Sequence, residues 1–352
     1  MDHLLTQLTE LKGIPAHEKC VRDFIAAYVK KEGKITYDNL GSIIVEKQGQ
    51  ADAPRIMLAA HMDEIGFIVS EITNDGFIKF IPAGGWWSHV VLGQQFVITT
   101  SSGTEFRAVV GSKPPHILSD DDKKKVVDLN DMFMDIGVKD KEEAEATGIK
   151  TGDMITPYGS LIQMANPNYL MAKAFDDRIG VYIMLKVLDA LKNQAHPNTL
   201  FAVGTIQEEV GLRGAGTSSH RVQPDIGISI DVTVANDYPG GAKNAVLGKG
   251  PCLMIYDSSM VGHPGLRAHI EKICLAHEIP YQLSYILRGG TDAGKIHLSH
   301  SGCPSIALTI PTRYIHSHSS ILHVDDVTHS IRLITELIHS LDATSVRKIT
   351  EE

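Results

Sequence analysis

The chain has 352 residues, of which 43% are hydrophobic and 21% are charged; this composition excludes a disordered or fibrous protein, and the length allows two domains or one large domain with an insertion. The 33 Lys and Arg residues against 42 Asp and Glu residues give a net charge of -9, so we expect neither a nucleic-acid partner nor binding to an anionic membrane surface. No apolar run approaches the roughly 20 residues that a membrane span requires.

The N-terminal sequence and the cysteines indicate the cellular compartment of the protein. The N-terminal stretch has no basic segment and no long apolar segment, so we expect no signal peptide. The 4 cysteines are scattered without a Cys-x-x-Cys pair. This usage fits reduced thiols and argues against a disulfide framework or a thiolate zinc site, so we expect a cytoplasmic protein.

The N-terminal segment combines two helical patterns with short strands. Leucines recur at helical spacing over residues 4–11, and the pattern stops at Gly13. A second helical pattern covers about residues 18–31. Strand-like runs follow at residues 34–37, 42–46 and 55–60.

Four apolar runs are typical of strands that are buried on both faces. Polar residues follow each of them: His61 and Asp63 after residues 55–60, Glu208 and Glu209 after 201–206, Asp231 after 226–230, and His316 a few residues after 305–310. Amphipathic patterns at residues 177–193, 263–277 and 324–341 predict helices between the later strands. The alternation of strands and helices predicts an open α/β sheet.

Residues from about 70 to 163 differ in composition from the rest of the chain. They are rich in Gly, Pro and β-branched residues, and short alternating segments with turn signals predict a small β-barrel or sandwich. The charged run at residues 120–125 is expected to be a solvated loop or helix start. We therefore predict an α/β domain formed by residues 1–69 plus 165–352, with residues 70–164 inserted as a β-rich domain.

The polar residues after the strands define a candidate site. In open α/β sheets, ligands bind beyond the carboxyl ends of the strands, and a helix beginning near Asp176 and Asp177 adds two more acids. If the four strands are neighbours, five or more carboxylates and two imidazoles meet at one edge of the sheet, and acids that close cannot all be ionised without compensation. No basic run lies nearby, but a pair of divalent cations would compensate the charge.

The residue types limit the metals and the roles. Imidazole and carboxylate ligands suit Zn²⁺, Co²⁺ or Mn²⁺, and two ions about 3.5–4 Å apart require a bridging carboxylate, for which Asp176 is the natural candidate. Asp63 is spaced to fix the tautomer of His61. Because Glu208 and Glu209 are adjacent, their side chains diverge, so one can bind metal while the other acts as a general base.

Each motif taken alone also has an ordinary interpretation. A His-x-Asp pair is usually a surface pair, paired glutamates are commonplace, and two aspartates before a helix most often cap it. His316 could be a polar loop residue, and the glycine-rich segment at residues 289–294 is either a close approach to a ligand or a tight turn. Motifs of zincins, α/β-hydrolases, P-loop proteins and dinucleotide-binding proteins are missing from the sequence.

Six motifs occur in an order that is specific to one family. They are AAHMDEIGFIV at residues 59–69, KAFDDRIG at 173–180, QEEVGLRGA at 207–215, SIDVTVANDYPG at 229–240, GGTDAG at 289–294 and PTRYIHSH at 311–318. Together with GSKPPHIL at 111–118, they make the chain resemble the glutamyl-aminopeptidase/TET-type family of dinuclear metallo-aminopeptidases over nearly its whole length. Members of this family have also been labelled endoglucanase M or cellulase M.

The resemblance implies a fold, an assembly and a role for each site residue. The implied fold is a doubly wound α/β metallopeptidase domain with an inserted β-barrel-like oligomerisation domain, and the implied assembly is a homo-oligomer, a dodecamer built from dimers. Each subunit would hold two divalent ions, Zn or Co, with Mn as an alternative. The implied roles are one metal bound by His61 and Asp231, the other by Glu209 and His316, Asp176 as the bridge, and Asp63 and Glu208 as catalytic residues that orient His61 and act as general base.

The implied activity is removal of N-terminal residues from short peptides by a metal-activated water. Arg288 could favour an acidic N-terminal residue or could be an exposed surface arginine, so a broad or aliphatic preference is an alternative. Two other functional classes explain the sequence less well. A glycoside hydrolase needs two carboxylates and leaves the histidines unexplained, and a non-catalytic assembly protein would lack a ligand or the base, whereas all the implied positions carry competent residues.

Overall fold

The computed structural model describes residues 2–351. Its helices are α1 (His3–Glu10), α2 (Lys19–Tyr28), α3 (Lys141–Ala146), α4 (Phe175–Ala190), α5 (Arg213–Val222), α6 (Pro264–Ala276), α7 (Ala293–Ile296), α8 (Val324–Ser340) and α9 (Ala343–Glu351). Among these described helices, none combines the length and the apolar character that crossing a membrane would require.

The strands of the described residues fall into three sheets. They are β1 (Lys34–Tyr37), β2 (Ile43–Lys47), β3 (Arg55–His61), β4 (Gly66–Ile72), β5 (Ile78–Ala83), β6 (Gln95–Thr99), β7 (Glu105–Gly111), β8 (Phe133–Asp135), β9 (Met154–Pro157), β10 (Ile162–Gln163), β11 (Tyr169–Ala172), β12 (Thr199–Thr205), β13 (Ile226–Val234), β14 (Cys252–Asp257), β15 (Met260–Val261), β16 (Gln282–Tyr285), β17 (Ser305–Thr312) and β18 (Ser320–His323).

The largest sheet is mixed and has the four predicted apolar strands side by side at its centre. Its order is β1-β2-β12-β3-β13-β17-β14-β15, with β16 paired to β14. The neighbours β12, β3, β13 and β17 run parallel, and every residue of β12 and β17 is buried. Continuous apolar runs suit strands covered by helices on both faces. The predicted α/β class is therefore confirmed, and the carboxyl ends of these strands meet at one edge.

Helix α4 lies under the centre of this sheet and brings its first turn to the same edge. It contacts β3 and β13 as well as α1 and α8. Most of its residues, from Ile179 to Leu188, are buried, so this helix is apolar around most of its circumference and belongs to the main core. The packing fixes the position of its N-terminal residues Asp176 and Asp177.

The inserted segment is a closed six-stranded barrel in the order β4-β5-β8-β7-β6-β9. It has its own apolar core, which includes Phe67, Phe96 and Ile98. Closure brings β4 against β9 at Gly66, where a Cβ would lie 2.3 Å from the carbonyl oxygen of Ile155. Of the two predicted architectures, the inserted segment is therefore a barrel and not a sandwich. The domain boundaries at residues 69/70 and 164/165 stay a prediction.

A small sheet joins two segments that matter for the site. Strand β11 pairs with β18 so that Ala172 lies opposite Ser320. The chain enters α4 directly after β11, and the loop carrying His316 ends at β18. This pairing holds the segment before Asp176 beside the segment after His316.

A buried charge cluster ties the start of the chain to the strand ends. Both oxygens of Glu64 accept hydrogen bonds from Lys173, at 2.7 and 2.8 Å, and the Arg178 guanidinium lies 3.7 Å from Glu64. These side chains are at most 3% exposed. Arg178 also donates to the carbonyl oxygens of Leu8 and Leu11, so it fixes the loop after α1.

Removing the anion of this cluster is expected to destabilise the protein strongly. Glu64→Ala leaves two buried cations without a counter-charge, for which a loss of about 3–5 kcal/mol of unfolding free energy is expected. Urea unfolding measures the loss. As a control, Glu145→Ala removes an exposed i,i+4 pair with Lys141 and should cost about 0.5 kcal/mol or less. Equal, small losses in both variants would contradict the role given to Glu64.

Candidate metal centre

The structure brings all seven predicted site residues to the carboxyl edge of the large sheet. His61 ends β3, and Asp231 lies in β13. The remaining ones follow the neighbouring strands or begin α4: Glu208 and Glu209 after β12, His316 after β17, Asp63 after β3, and Asp176 in the first turn of α4. Parallel strands that end together place these side chains in one small volume.

Two groups of donor atoms form within this volume, and Asp176 belongs to both. The first group is His61, Asp176 and Asp231, and the second is Asp176, Glu209 and His316; within each group the donor atoms lie within 4.8 Å of one another. His61 Nε2 is 3.0 Å from Asp176 Oδ1. His316 Nε2 is 3.2 Å from Asp176 Oδ2. Each carboxylate oxygen of Asp176 therefore faces a different imidazole, which is the arrangement of a bridging ligand.

The adjacent aspartate, Asp177, caps the start of helix α4. Asp176 and Asp177 have non-helical backbone angles, so the regular part of α4 begins after them. Asp177 Oδ1 accepts the backbone N–H of Gly180 at 3.1 Å, and its Oδ2 accepts the N–H of His61 at 3.1 Å. The ordinary interpretation of two aspartates before a helix thus applies to Asp177, while Asp176 faces the site.

The charges in the site favour a cation. Burial raises the pKa of Asp231 well above its usual value, and the Asp176 carboxylate raises it further. Burial also raises the pKa of Glu208, as do Asp231 and Glu209. For His316, burial lowers the pKa, but the Glu209 and Asp176 carboxylates outweigh it and raise the pKa to about 11. Raised pKa values mean that protons would compete with metal ions for these groups.

The donor set itself fits divalent metal ions. Glu209 Oε1 is buried and has no hydrogen-bond partner, although His316 Nε2 lies 3.3 Å away. A buried carboxylate oxygen without a donor is costly unless a cation or water satisfies it. Imidazole nitrogens and carboxylate oxygens, without thiolate, suit Zn²⁺, Co²⁺ or Mn²⁺. The residues present are therefore suited to two such ions.

The contacts of Asp63 differ from those expected for it. His61 Nδ1 lies 3.0 Å from the backbone carbonyl oxygen of Asp63 and 3.6 Å from its carboxylate. The two carboxylate oxygens instead accept the backbone N–H groups of Glu208 and Glu209, both at 3.1 Å. Asp63 therefore orients His61 mainly through its main chain, and its side chain fixes the turn that carries the two glutamates.

Two further acids near the site were missed by sequence reasoning. Glu18 Oε1 accepts the backbone N–H of Gln207 at 2.9 Å, so it supports the same turn from α2's N-terminus. Asp292 is buried, its Oδ2 accepts a hydrogen bond from Thr205, and burial raises its pKa to about 6. Asp292 lies in the glycine-rich segment noted in the sequence, whereas nothing in the pattern around Glu18 distinguishes it.

A cavity of about 550 Å³ opens onto the two donor groups. The lining residues include Asp176, Glu208 and Glu209 as well as Ser258, Arg288 and Thr291. The glycine-rich segment forms part of this wall: a Cβ on Gly290 would lie 2.8 Å from Ser259 Oγ. Glycine is needed there for close packing beside the cavity, and the volume matches sites for small ligands.

Comparisons with known proteins identify the family of this chain. Residues 41–333 match the model of the M42 glutamyl aminopeptidase family. The glutamyl aminopeptidase of Lactococcus lactis is 36% identical over 97% of this chain and 97% of that protein. The lysyl aminopeptidase of Pyrococcus furiosus is 31% identical over 96% of both chains.

Solved structures show the same fold. A TET aminopeptidase from the marine sediment archaeon Thaumarchaeota archaeon SCGC AB-539-E09 superimposes with a TM-score of 0.96, at 43% identity over 98% of both chains. The Pyrococcus horikoshii TET1 peptidase, which can assemble into a tetrahedron or a large octahedral shell, has a TM-score of 0.86 at 29% identity over 96% of this chain and 99% of that chain. An endoglucanase from Thermotoga maritima reaches 0.80 at 26% identity over 98% and 99%. The chain belongs to the M42 glutamyl aminopeptidase family and is a metallo-aminopeptidase.

Proposed function

We propose that this chain is a dinuclear metallo-aminopeptidase that removes N-terminal residues from short peptides. The observation that carries the proposal is the position of Asp176, whose two carboxylate oxygens face two separate imidazoles. One ion would be held by His61, Asp176 and Asp231, and the other by Asp176, Glu209 and His316. Such ions would polarise the scissile carbonyl and lower the pKa of a nearby water.

Glu208 is the proposed general base. Its carboxylate is buried at the cavity wall, with Oε2 3.9 Å from His61 Nε2. It belongs to neither donor group, so it is free to take a proton from the attacking water and then deliver it to the departing amine. The hydrogen bond from its N–H to Asp63 holds it beside the donor groups.

The proposed substrate has a free amino terminus. The cavity is lined by Asp176, Glu208, Glu209 and Asp231, and an ion held there would accept the lone pair of a peptide's free α-amino group, which an acylated end does not offer. A requirement for that group makes the enzyme an exopeptidase.

Hydrolysis of aminoacyl-p-nitroanilides tests the proposal. The Glu, Asp, Leu, Ala and Lys substrates and an N-acetylated control are assayed after EDTA treatment and again after Zn²⁺, Co²⁺ or Mn²⁺ is restored. We expect cleavage only of free-amine substrates and only with metal. Undiminished cleavage after EDTA, or equal cleavage of the acetylated control, would refute it.

Arg288 is the proposed source of a preference for acidic N-terminal residues. It lines the same cavity as Glu208 and Glu209, and its guanidinium is suited to a carboxylate. Known relatives include both glutamyl and lysyl aminopeptidases, so the neighbouring side chains must decide the preference. Without Arg288, the same cavity would serve a broad or aliphatic specificity.

Arg288→Ala is therefore expected to reduce kcat/KM for glutamyl-p-nitroanilide by about tenfold, which corresponds to losing about 1.4 kcal/mol of binding in the transition state. The leucyl substrate should change by less than about twofold, because it lacks the carboxylate. Arg347→Ala on the exposed surface of α9 is the matched control. An equal reduction for both substrates would contradict a specificity role.

A homo-oligomer built from dimers, a dodecamer, is the proposed assembly. It is supported by the structural similarity to the TET1 peptidase described above. A closed shell would admit only short, unfolded peptides. Mass photometry of the purified protein measures the assembly directly, and a monomer at micromolar concentration would refute it.

A further inference from the structure

The loop that carries His316 is fixed at its base by main-chain hydrogen bonds within the large domain. The main chains of Arg313 and Ile321 exchange hydrogen bonds of 2.9 and 3.0 Å across the base. At the tip, Tyr314 and His316 have φ values of +58° and +59°. Residues with side chains adopt this left-handed region only when surrounding contacts offset its cost. The loop therefore needs support at its tip.

The barrel supplies contacts to that tip at two points. His316 Nδ1 is 2.7 Å from the carbonyl oxygen of Gly85, in the segment after β5. His318 Nε2 is 2.9 Å from the carbonyl oxygen of Gln95, the first residue of β6, and its ring packs edge-on against Phe96 at 4.6 Å. Both acceptors are main-chain atoms of the inserted domain.

We propose that Gly85 is a positioning residue for one of the two metal sites, so that the inserted barrel forms part of the metal centre. An Nδ1–H that donates to the Gly85 carbonyl leaves the Nε2 lone pair directed at Asp176 and Glu209. Metal-binding histidines commonly donate their second ring N–H to such an acceptor, which fixes tautomer and orientation. This inference rests on the proposed dinuclear site.

The Gly85 carbonyl is itself held by the core of the barrel. The next residue, Trp86, donates from Nε1 to the carbonyl oxygen of Gly66 at 2.9 Å. Its ring stacks on Phe67 with centroids 4.9 Å apart. On the other side, Gly84 has a φ of +97°, and a Cβ there would lie 2.5 Å from Ile65 Cγ2. The Gly85 carbonyl oxygen is therefore held in place and cannot shift to keep its hydrogen bond if the His316 ring moves.

The two histidines of the site depend on different domains. His61 Nδ1 contacts the carbonyl oxygen of Asp63, two residues along its own segment. His316 instead depends on Gly85 across the domain boundary. A disturbance of the Gly85 segment should therefore weaken the site formed with Glu209 and His316 and spare the site formed with His61 and Asp231.

Calorimetric titration of the metal-stripped full chain with Zn²⁺ tests this selectivity. A Cβ on Gly85 would lie 3.3 Å from His316 Nδ1, so Gly85→Val presses its methyl groups against the imidazole. His316→Ala and His61→Ala identify which binding event belongs to which site. We expect Gly85→Val to weaken the event that His316→Ala abolishes by about 10–100-fold and to leave the other event within about twofold. Gly216→Val, where a Cβ meets nothing within 4 Å, is the control.

A second pair of variants keeps the inference testable if Gly85→Val does not fold. Trp86→Leu removes the anchor of the Gly85 segment and should give the same selective loss, whereas Trp87→Ala, at a side chain that is 64% exposed, should not. Folded variants with both binding events unchanged, or with both weakened equally, would overturn the inference. Fewer than two ions bound by the unaltered chain would instead refute the dinuclear site itself.

Discussion

Glu208→Gln is expected to lower kcat by about 10²–10⁴-fold, the usual contribution of a general acid–base residue, while two ions stay bound per subunit. Glutamine has nearly the shape of glutamate but accepts no proton at neutral pH. The backbone hydrogen bond from residue 208 to Asp63 is unaffected by the change, so the turn keeps its position. Turnover of a free-amine p-nitroanilide and metal analysis of the same sample measure the two effects.

The outcome for Glu208 separates a base from a ligand. Glu145→Gln, a change at an exposed glutamate of α3, is the matched control and should keep full activity. Full activity in Glu208→Gln would contradict the assignment of the base. A loss of one bound ion would show that Glu208 is a ligand.

Asp176→Asn is expected to remove at least one of the two ions and to lower activity by about 10²–10³-fold or more, the scale seen when a single group that stabilises transition-state charge is lost. A carboxamide has a single oxygen, so it cannot present an oxygen to both His61 and His316. It also removes one of the charges that attract the cations. Metal stoichiometry by mass spectrometry of the desalted protein and turnover of the same sample check the prediction.

A carboxylate on the same helix provides the control for Asp176. Asp189 lies in α4 and accepts a hydrogen bond from Tyr28 at 2.6 Å on the exposed surface, so Asp189→Asn should keep both ions. If Asp176→Asn also bound two ions with unchanged affinity, the bridging role of Asp176 would be wrong.

The central strands were predictable because strands buried on both faces consist of uninterrupted apolar residues. Residues 55–60, 201–206, 226–230 and 305–310 are uninterrupted apolar runs, and they form β3, β12, β13 and β17. The order of these strands in the sheet was not predictable from the runs, since any pairing would bury them equally. Only the assumption that they are neighbours brought the acids and imidazoles together, and the topology bears out that assumption.

The supporting contacts of the site had no comparable signal. The Asp63 carboxylate holds the backbone N–H groups of Glu208 and Glu209, and Gly85 offers His316 a backbone carbonyl. Hydrogen bonds to the main chain require no particular side chain at one end, so they leave no spacing or residue type to detect. Contacts across a domain boundary are further removed from any local pattern.

Anomalous diffraction at the zinc edge, from crystals grown with Zn²⁺, tests the dinuclear site most directly. The structure leads us to expect two peaks about 3.5–4 Å apart, one on each side of the Asp176 carboxylate. The first should lie beside His61 and Asp231, and the second beside Glu209 and His316. A single peak, or peaks away from Asp176, would contradict the proposal that these five residues hold a pair of metal ions.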